Sequence, residues 1–299
     1  MKKKTLLAAV LCGALLTGCT ASQQAQTGSG SAAAQGSGST AQQQNVVTKL
    51  SKNEFPVFSG CQSLALPGRL AAAAASGTTY ENASELAAFY GSSAEAWQRL
   101  LDGKADIILA YSPDDATAQK LEQAGGMSQQ IGTDALVFLA NAEAAASPLT
   151  REQIQTIYKG GDSAWKGYAS APGSCSRELF QQSFGADSAG VTVKQGEDTL
   201  TAACPHTAGT LCYTTYLAVQ ADGLPENTVM QAVDGVQASA ETLADSTYPL
   251  RAAYCVAVRG GLDDNDPAML LYRWLTSEDG TAWLAQATAQ PANLDGTKE

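Results

Sequence analysis

Short apolar runs spaced by amphipathic helical stretches constrain this chain more than any other feature. Ala105–Ala110 reads Ala-Asp-Ile-Ile-Leu-Ala, and Ala135–Ala140 reads Ala-Leu-Val-Phe-Leu-Ala. Runs this short and this apolar fit strands covered on both faces. Phe55–Phe58, Thr210–Val219 and Ala252–Val258 read as further strands. Helices are predicted over Leu64–Ala75, Ser84–Tyr90, Ala94–Leu101, Asp114–Ala124, Ser176–Phe184, Leu270–Leu275 and Gly280–Ala287. Thr150-Arg151-Glu152-Gln153 is a capping box that opens a helix over Ile154–Tyr158. Asp266-Pro267 is an N-cap followed by proline in the first turn. Strands alternating with helices predict an α/β fold.

The first 45 residues stand apart from that pattern. Lys2, Lys3 and Lys4 precede the apolar run Thr5–Leu16, which is shorter than the roughly 20 residues a membrane-spanning helix needs. Residues 1–18 therefore read as an export signal. Leu16-Thr17-Gly18-Cys19 resembles the lipobox of bacterial lipoproteins, which implies cleavage before Cys19 and acylation of its thiol. Residues 19–45 are expected to form a disordered tether, since from Thr20 onward only Thr, Ala, Ser, Gln, Gly and Asn occur. The expected product is a monomer anchored by lipid to the extracytoplasmic face of the cell membrane.

Charge and composition exclude several classes. The 299 residues carry 18 Lys+Arg against 29 Asp+Glu, a formal charge of −11, and loss of the three signal lysines makes it −14. No basic run exists for nucleic acid to bind. The single histidine, His206, rules out a His-rich metal site and is the only base of its kind for a serine or cysteine hydrolase. Cys204, His206 and Cys212 lack a fourth metal ligand. Asp263-Asp264-Asn265-Asp266 lacks the spacing and closing Glu of a calcium loop. Asp114-Asp115 reads as charge at a helix N-terminus. Neither a metal nor a cofactor is expected.

Several segments, taken in order, resemble the PstS-like, phosphate-binding branch of the solute-binding proteins of bacterial ABC transporters. They are Leu101–Ile108 (Leu-Asp-Gly-Lys-Ala-Asp-Ile-Ile), Ile131–Phe138 (Ile-Gly-Thr-Asp-Ala-Leu-Val-Phe), Leu149–Gly160 with Trp165, Tyr248–Arg251 with Tyr254, and Trp274–Gly280. The resemblance implies a two-lobed periplasmic-binding-protein-like fold. Lobe 1 would hold 46–140 and 250–299, lobe 2 would hold 141–249, and crossover strands would lie near Phe138–Asn141 and Tyr248–Arg251. It also implies an interlobe cleft in which amide N–H groups and hydroxyls at helix N-termini hold an oxyanion.

Two loops match the family's ligand loops. Gly60-Cys61-Gln62-Ser63 stands where the family usually shows Gly-Ser-Thr-Ser, so Ser63 is retained while Cys61 and Gln62 depart. The alternative role for Ser63 is to cap its helix. Gly173-Ser174-Cys175-Ser176-Arg177 matches a Ser-Gly-Ser/Thr-Arg pattern, with Ser174 and Ser176 as hydroxyl donors and Arg177 as a charged fork; otherwise Arg177 is a surface helix residue. Phosphate-specific members carry a carboxylate just after the Ala-Asp-Ile-Ile strand, where this chain has Tyr111 and, three residues on, Asp114. A site lacking that acceptor favours an unprotonated anion or a different ligand.

Five cysteines remain after the signal and the lipid site: Cys61, Cys175, Cys204, Cys212 and Cys255. A Cys61–Cys175 bond would pin the cleft shut, Cys204–Cys212 is a second pairing, and a buried free thiol is the alternative for each. The expected function is capture of a small anion, phosphate or a similar oxyanion, for an ABC permease, without catalysis. Other readings are a ligand sensor or surface interaction protein on the same fold, and an enzyme using a Cys175 thiolate with His206 as base.

Overall fold

The computed structural model describes residues 49–143, 147–162, 164–185, 191–192 and 208–290. Cys19, the tether, Cys204 and His206 lie outside them. Residues 45–299 cluster as one unit. Among the described residues, nine strands form one mixed sheet in the order β2-β1-β3-β9-β4-β7-β5-β6, with β8 also paired to β4. The strands are β1 Phe58–Gly60, β2 Ala87–Phe89, β3 Ile107–Tyr111, β4 Met127–Asn141, β5 Lys166–Ala169, β6 Val191–Thr192, β7 Thr210–Thr215, β8 Thr228–Gln231 and β9 Arg251–Val258. The helices are α1 Ala65–Ser76, α2 Ser93–Leu101, α3 Asp115–Gln123, α4 Arg151–Tyr158, α5 Cys175–Phe184, α6 Tyr216–Asp222, α7 Ala240–Ala244, α8 Pro267–Thr276 and α9 Glu278–Ala289.

β4 joins the two halves of the sheet. Met127–Ala135 pairs antiparallel with β9, whereas Leu136–Ala140 pairs with β7 and Phe138–Asn141 with β8. The change of partner falls between Ala135 and Leu136, just ahead of Phe138. The first half contains the parallel strands β2, β1 and β3 with antiparallel β9. The second half contains β5 and β6 parallel to one another and β5 parallel to β7. The main core runs through both halves, from Phe58, Ile107 and Leu109 to Phe138, Tyr158 and Tyr213. In the second half Phe138 touches four rings, those of Tyr158, Phe180, Phe184 and Tyr213. A smaller core beneath α2 and α3 holds Trp97, Leu100, Ile108, Leu121 and Ala257.

Local signals place most helix starts. Thr150 and Gln153 form the expected capping box of α4, and Asp266 caps α8 with Pro267 in the first turn. Asp114 caps α3 by accepting Thr117 N–H at 2.7 Å. Three expectations are corrected. The strand expected over Phe55–Phe58 begins only at its last residue and runs on as β1 to Gly60. Ser84–Tyr90 is not a helix: a short 3-10 turn at Asn82–Glu85 leads into β2, because Ala87–Phe89 completes the parallel edge of β1. Sheet pairing outweighs the helix preference of a short Ser-Glu-Leu-Ala stretch. Thr210–Val219 is not a single strand either, because the Thr215 side chain accepts Ala218 N–H and starts α6.

Candidate functional site

Three chain turns converge where the two halves of the sheet meet. β1 ends at Gly60, and Cys61 leads through a 3-10 turn, Gln62–Leu64, into α1. β5 ends at Ala169, and Ser170–Gly173 leads to Ser174, with Gly173 at φ 78°, where a side chain would be strained. β7 runs directly into α6. A cavity of about 250 Å³ opens between these turns. Gln62, Ser63 and Arg69 line it from the first half, and Ser170, Ser174, Cys175, Ser176 and Thr214 from the second.

Hydroxyls dominate the second side. Ser174 caps α5 by accepting Arg177 N–H, and its Oγ lies 3.5 Å from the Oγ of Ser176. Ser176 donates to Ser170 Oγ at 2.7 Å, and Ser170 donates to the Tyr213 carbonyl at 3.2 Å. On the first side, Ser63 lines the cavity rather than capping α1: the N-cap is Leu64, and no side chain caps that helix. The start of α1 therefore offers its positive end at the cavity wall.

Arg69 supplies a charge that sequence reasoning missed. It lies one turn into α1, on the lining, and its buried Nε has no hydrogen-bond partner among the described residues. A guanidinium N–H kept from water without an acceptor is costly. The sequence signal was weak: a lone arginine in an alanine-rich helix reads as a surface residue until α1 packs against α6.

The remaining expected site residues stand elsewhere. Arg177 is buried and off the lining; its Nη1 donates to the Ser170 carbonyl at 3.0 Å, so it holds the hydroxyl-bearing turn in place. Tyr111 is buried and off this cavity, and its hydroxyl donates to Asp134 at 2.7 Å. It contributes instead to a second cavity of about 380 Å³, beside Leu250–Ala253 and α5. Asp134 was not singled out from sequence. Its carboxylate also accepts the N–H groups of Ala135 at 2.7 Å and Leu217 at 2.9 Å, and burial pushes its pKa up to about 6. It ties β3 and the start of α6 to β4 beside the change of partner.

Cys61 and Cys175 are both buried and both free thiols, so the bond weighed from sequence is absent. Cys212 is disulfide-bonded, and Cys204, its expected partner, lies outside the described residues. Glu178 reaches from α5 to the start of α2, accepting Ser93 N–H at 2.9 Å and Ala94 N–H at 3.3 Å. Among the described residues no helix is long and apolar enough to cross a membrane, and no group of three or more His, Cys, Asp or Glu is placed to hold a metal ion.

Known structures share this fold. An ABC-type phosphate transport receptor from Vibrio cholerae superposes with a TM-score of 0.58 at 18% identity, covering 77% of this chain and 97% of that one. A protein described as a phosphate ABC transporter substrate-binding protein, from Clostridium perfringens with phosphate bound, gives 0.58 at 15% identity, with 78% and 96% covered. A periplasmic protein described as metal-binding gives 0.54 at 14%, with 78% and 92% covered. At these identities the likeness is one of fold. No curated protein matches the sequence. The profile of the PBP superfamily domain matches residues 22–279, and the chain therefore belongs to the periplasmic-binding-protein superfamily.

Proposed function

We propose that this protein is a lipid-anchored, extracytoplasmic solute-binding protein. It captures a small oxyanion, phosphate or a relative of it, in the cavity between the halves of the sheet and delivers it to an ABC permease. The observation that carries this reading is a single cavity lined by Arg69 from one half of the sheet and by the serine-rich turn of Ser170, Ser174 and Ser176 from the other. Arginine with hydroxyls and a helix N-terminus recognises an oxyanion by charge-assisted hydrogen bonds. Screening over about 8–10 Å weakens the distant acidic surface, while Asp222, also on the lining, is a carboxylate that favours a guest carrying a proton over a fully ionised one. In this reading the cavity residues bind and orient, and none carries out a reaction. Arg177 acts on the ligand only through the Ser170 turn.

Titration of the protein with Cys61 and Cys175 free and the Cys212 disulfide intact, using phosphate, sulfate and molybdate, tests the reading. At least one anion should raise Tm, since a ligand bound only by the folded form stabilises it. Arg69→Ala should weaken binding of that anion by about tenfold or more, as expected for loss of a charged hydrogen bond. If all three anions leave Tm unchanged, or Arg69→Ala binds as the parent does, the assignment fails.

A further inference from the structure

Two buried thiols from different halves of the sheet meet at one edge of the cavity. Cys61 follows β1 in the first half, and Cys175 is the first residue of α5 in the second. Cys175 Sγ donates to the Gly91 carbonyl at 3.3 Å. The same oxygen accepts Gln62 N–H at 3.1 Å, so Cys175 sits against the residue next to Cys61. Cys175 and Ser93 both lie close enough to Cys61 to act on its thiol. Cys175 lines the cavity, while Cys61 lies behind it with no exposed surface. Burial raises the Cys61 thiol pKa, which keeps that thiol protonated and unreactive until a partner sulfur is presented to it. Anion capture needs neither thiol.

We propose that Cys61 and Cys175 form a reversible dithiol–disulfide latch that fastens the two halves of the sheet across the cavity. The oxidant is a low-molecular-weight disulfide, RSSR, of the kind that persists outside the cytoplasm. The Cys175 thiolate, formed by loss of its proton, attacks one sulfur of RSSR. The S–S bond breaks, and the departing RS⁻ takes up a proton as RSH. Cys61, losing its own proton, then attacks the Cys175 sulfur of the mixed disulfide and expels the second RS⁻, which becomes RSH. Two protein thiols thus lose two electrons and two protons, and RSSR is reduced to two RSH. The bond requires the two sulfurs to come to about 2 Å, and the shared contact at the Gly91 carbonyl already brings the Cys175 side chain against the residue next to Cys61.

The test uses the reduced full chain, treated with bis(2-hydroxyethyl) disulfide, then quenched with N-ethylmaleimide under denaturing conditions and digested. The expected result is a peptide pair linked through Cys61 and Cys175. It should be accompanied by a Tm rise of about 5–10 °C that is absent from Cys61→Ser treated in the same way, so that closure of the Cys212 disulfide is not counted as the latch; dithiothreitol should remove the link. The linked pair should persist in Cys255→Ser. A mixed disulfide stalled on Cys175, a link to Cys255 instead, no link at all, or a link without a change in Tm would each overturn the proposal. The link itself is read in the unmutated protein, so the variants bear only on its specificity and on the Tm comparison. The anion titration is performed with Cys61 and Cys175 free, so failure there counts against the proposed function and leaves the latch to its own result.

Discussion

Asp134 is a carboxylate held without exposed surface among four donors: two backbone amides and the hydroxyls of Tyr111 and Thr215. Desolvation outweighs those bonds, so its pKa rises from 3.8 to about 6 on folding. The folded protein thus binds this proton more tightly than the unfolded chain. The resulting stability is fully present below pH 4 and is lost as pH rises through 6, a difference of about 3 kcal/mol. Asparagine can keep every partner, its carbonyl accepting both amides and its NH₂ donating to both hydroxyls. Asp134→Asn should therefore remove that pH dependence and be the more stable form at pH 7, as urea unfolding at pH 4, 5, 6 and 7 would show; parallel curves for the two proteins would refute it. At this scale the sequence was partly legible. Ser63, Ser174, Cys175 and Ser176 sit in strand–loop–helix segments whose order alone locates them. Arg69 and Asp134 take their meaning from neighbours distant in sequence: α6 for the first, Tyr111 and Leu217 for the second.

Elements follow local rules where they are long or capped and tertiary pairing where they are short. α4, α5 and α8 carry side-chain caps and begin within a residue or so of a Thr, Ser or Asp that announces them. β2 is three residues long and extended only because β1 lies beside it. β4 was legible in its apolar second part, whereas its exposed opening, Met127–Gln130, offers no alternation and is fixed by pairing with β9. Gly60 shows how tightly β1 is set. A Cβ there would lie 2.5 Å from the Leu109 carbonyl oxygen and 2.3 Å from Phe89 Cε1. The ring can turn aside, but the carbonyl belongs to β3 and accepts Cys61 N–H. Gly60→Ala should push β1 from β3 and cost about 1–3 kcal/mol in chemical denaturation. It should also weaken anion binding, because the Cys61–Ser63 turn moves with it; a variant with parent-like stability would show that the edge is slack.

At the scale of the whole molecule, the α/β class and the superfamily were readable from the order of motifs along the chain, because that order reflects how strands and helices alternate in the fold. The single continuous sheet was not, since it depends on the change of partner within β4 at Ala135–Leu136. The proposed lipid anchor is tested on the full chain in a bacterial host. Cys19→Ser should shift the protein from the membrane fraction to the soluble extracytoplasmic fraction, because acyl chains on Cys19 would supply about 0.8 kcal/mol of membrane affinity per CH₂; equal membrane recovery would remove the lipid from the account.

The grip of Glu178 on the first amides of α2 joins α5 of the second half of the sheet to α2 of the first through bonds that the protein supplies itself. If the proposed capture of an anion requires these halves to part, those two bonds must break first, and their strength enters the free energy of opening.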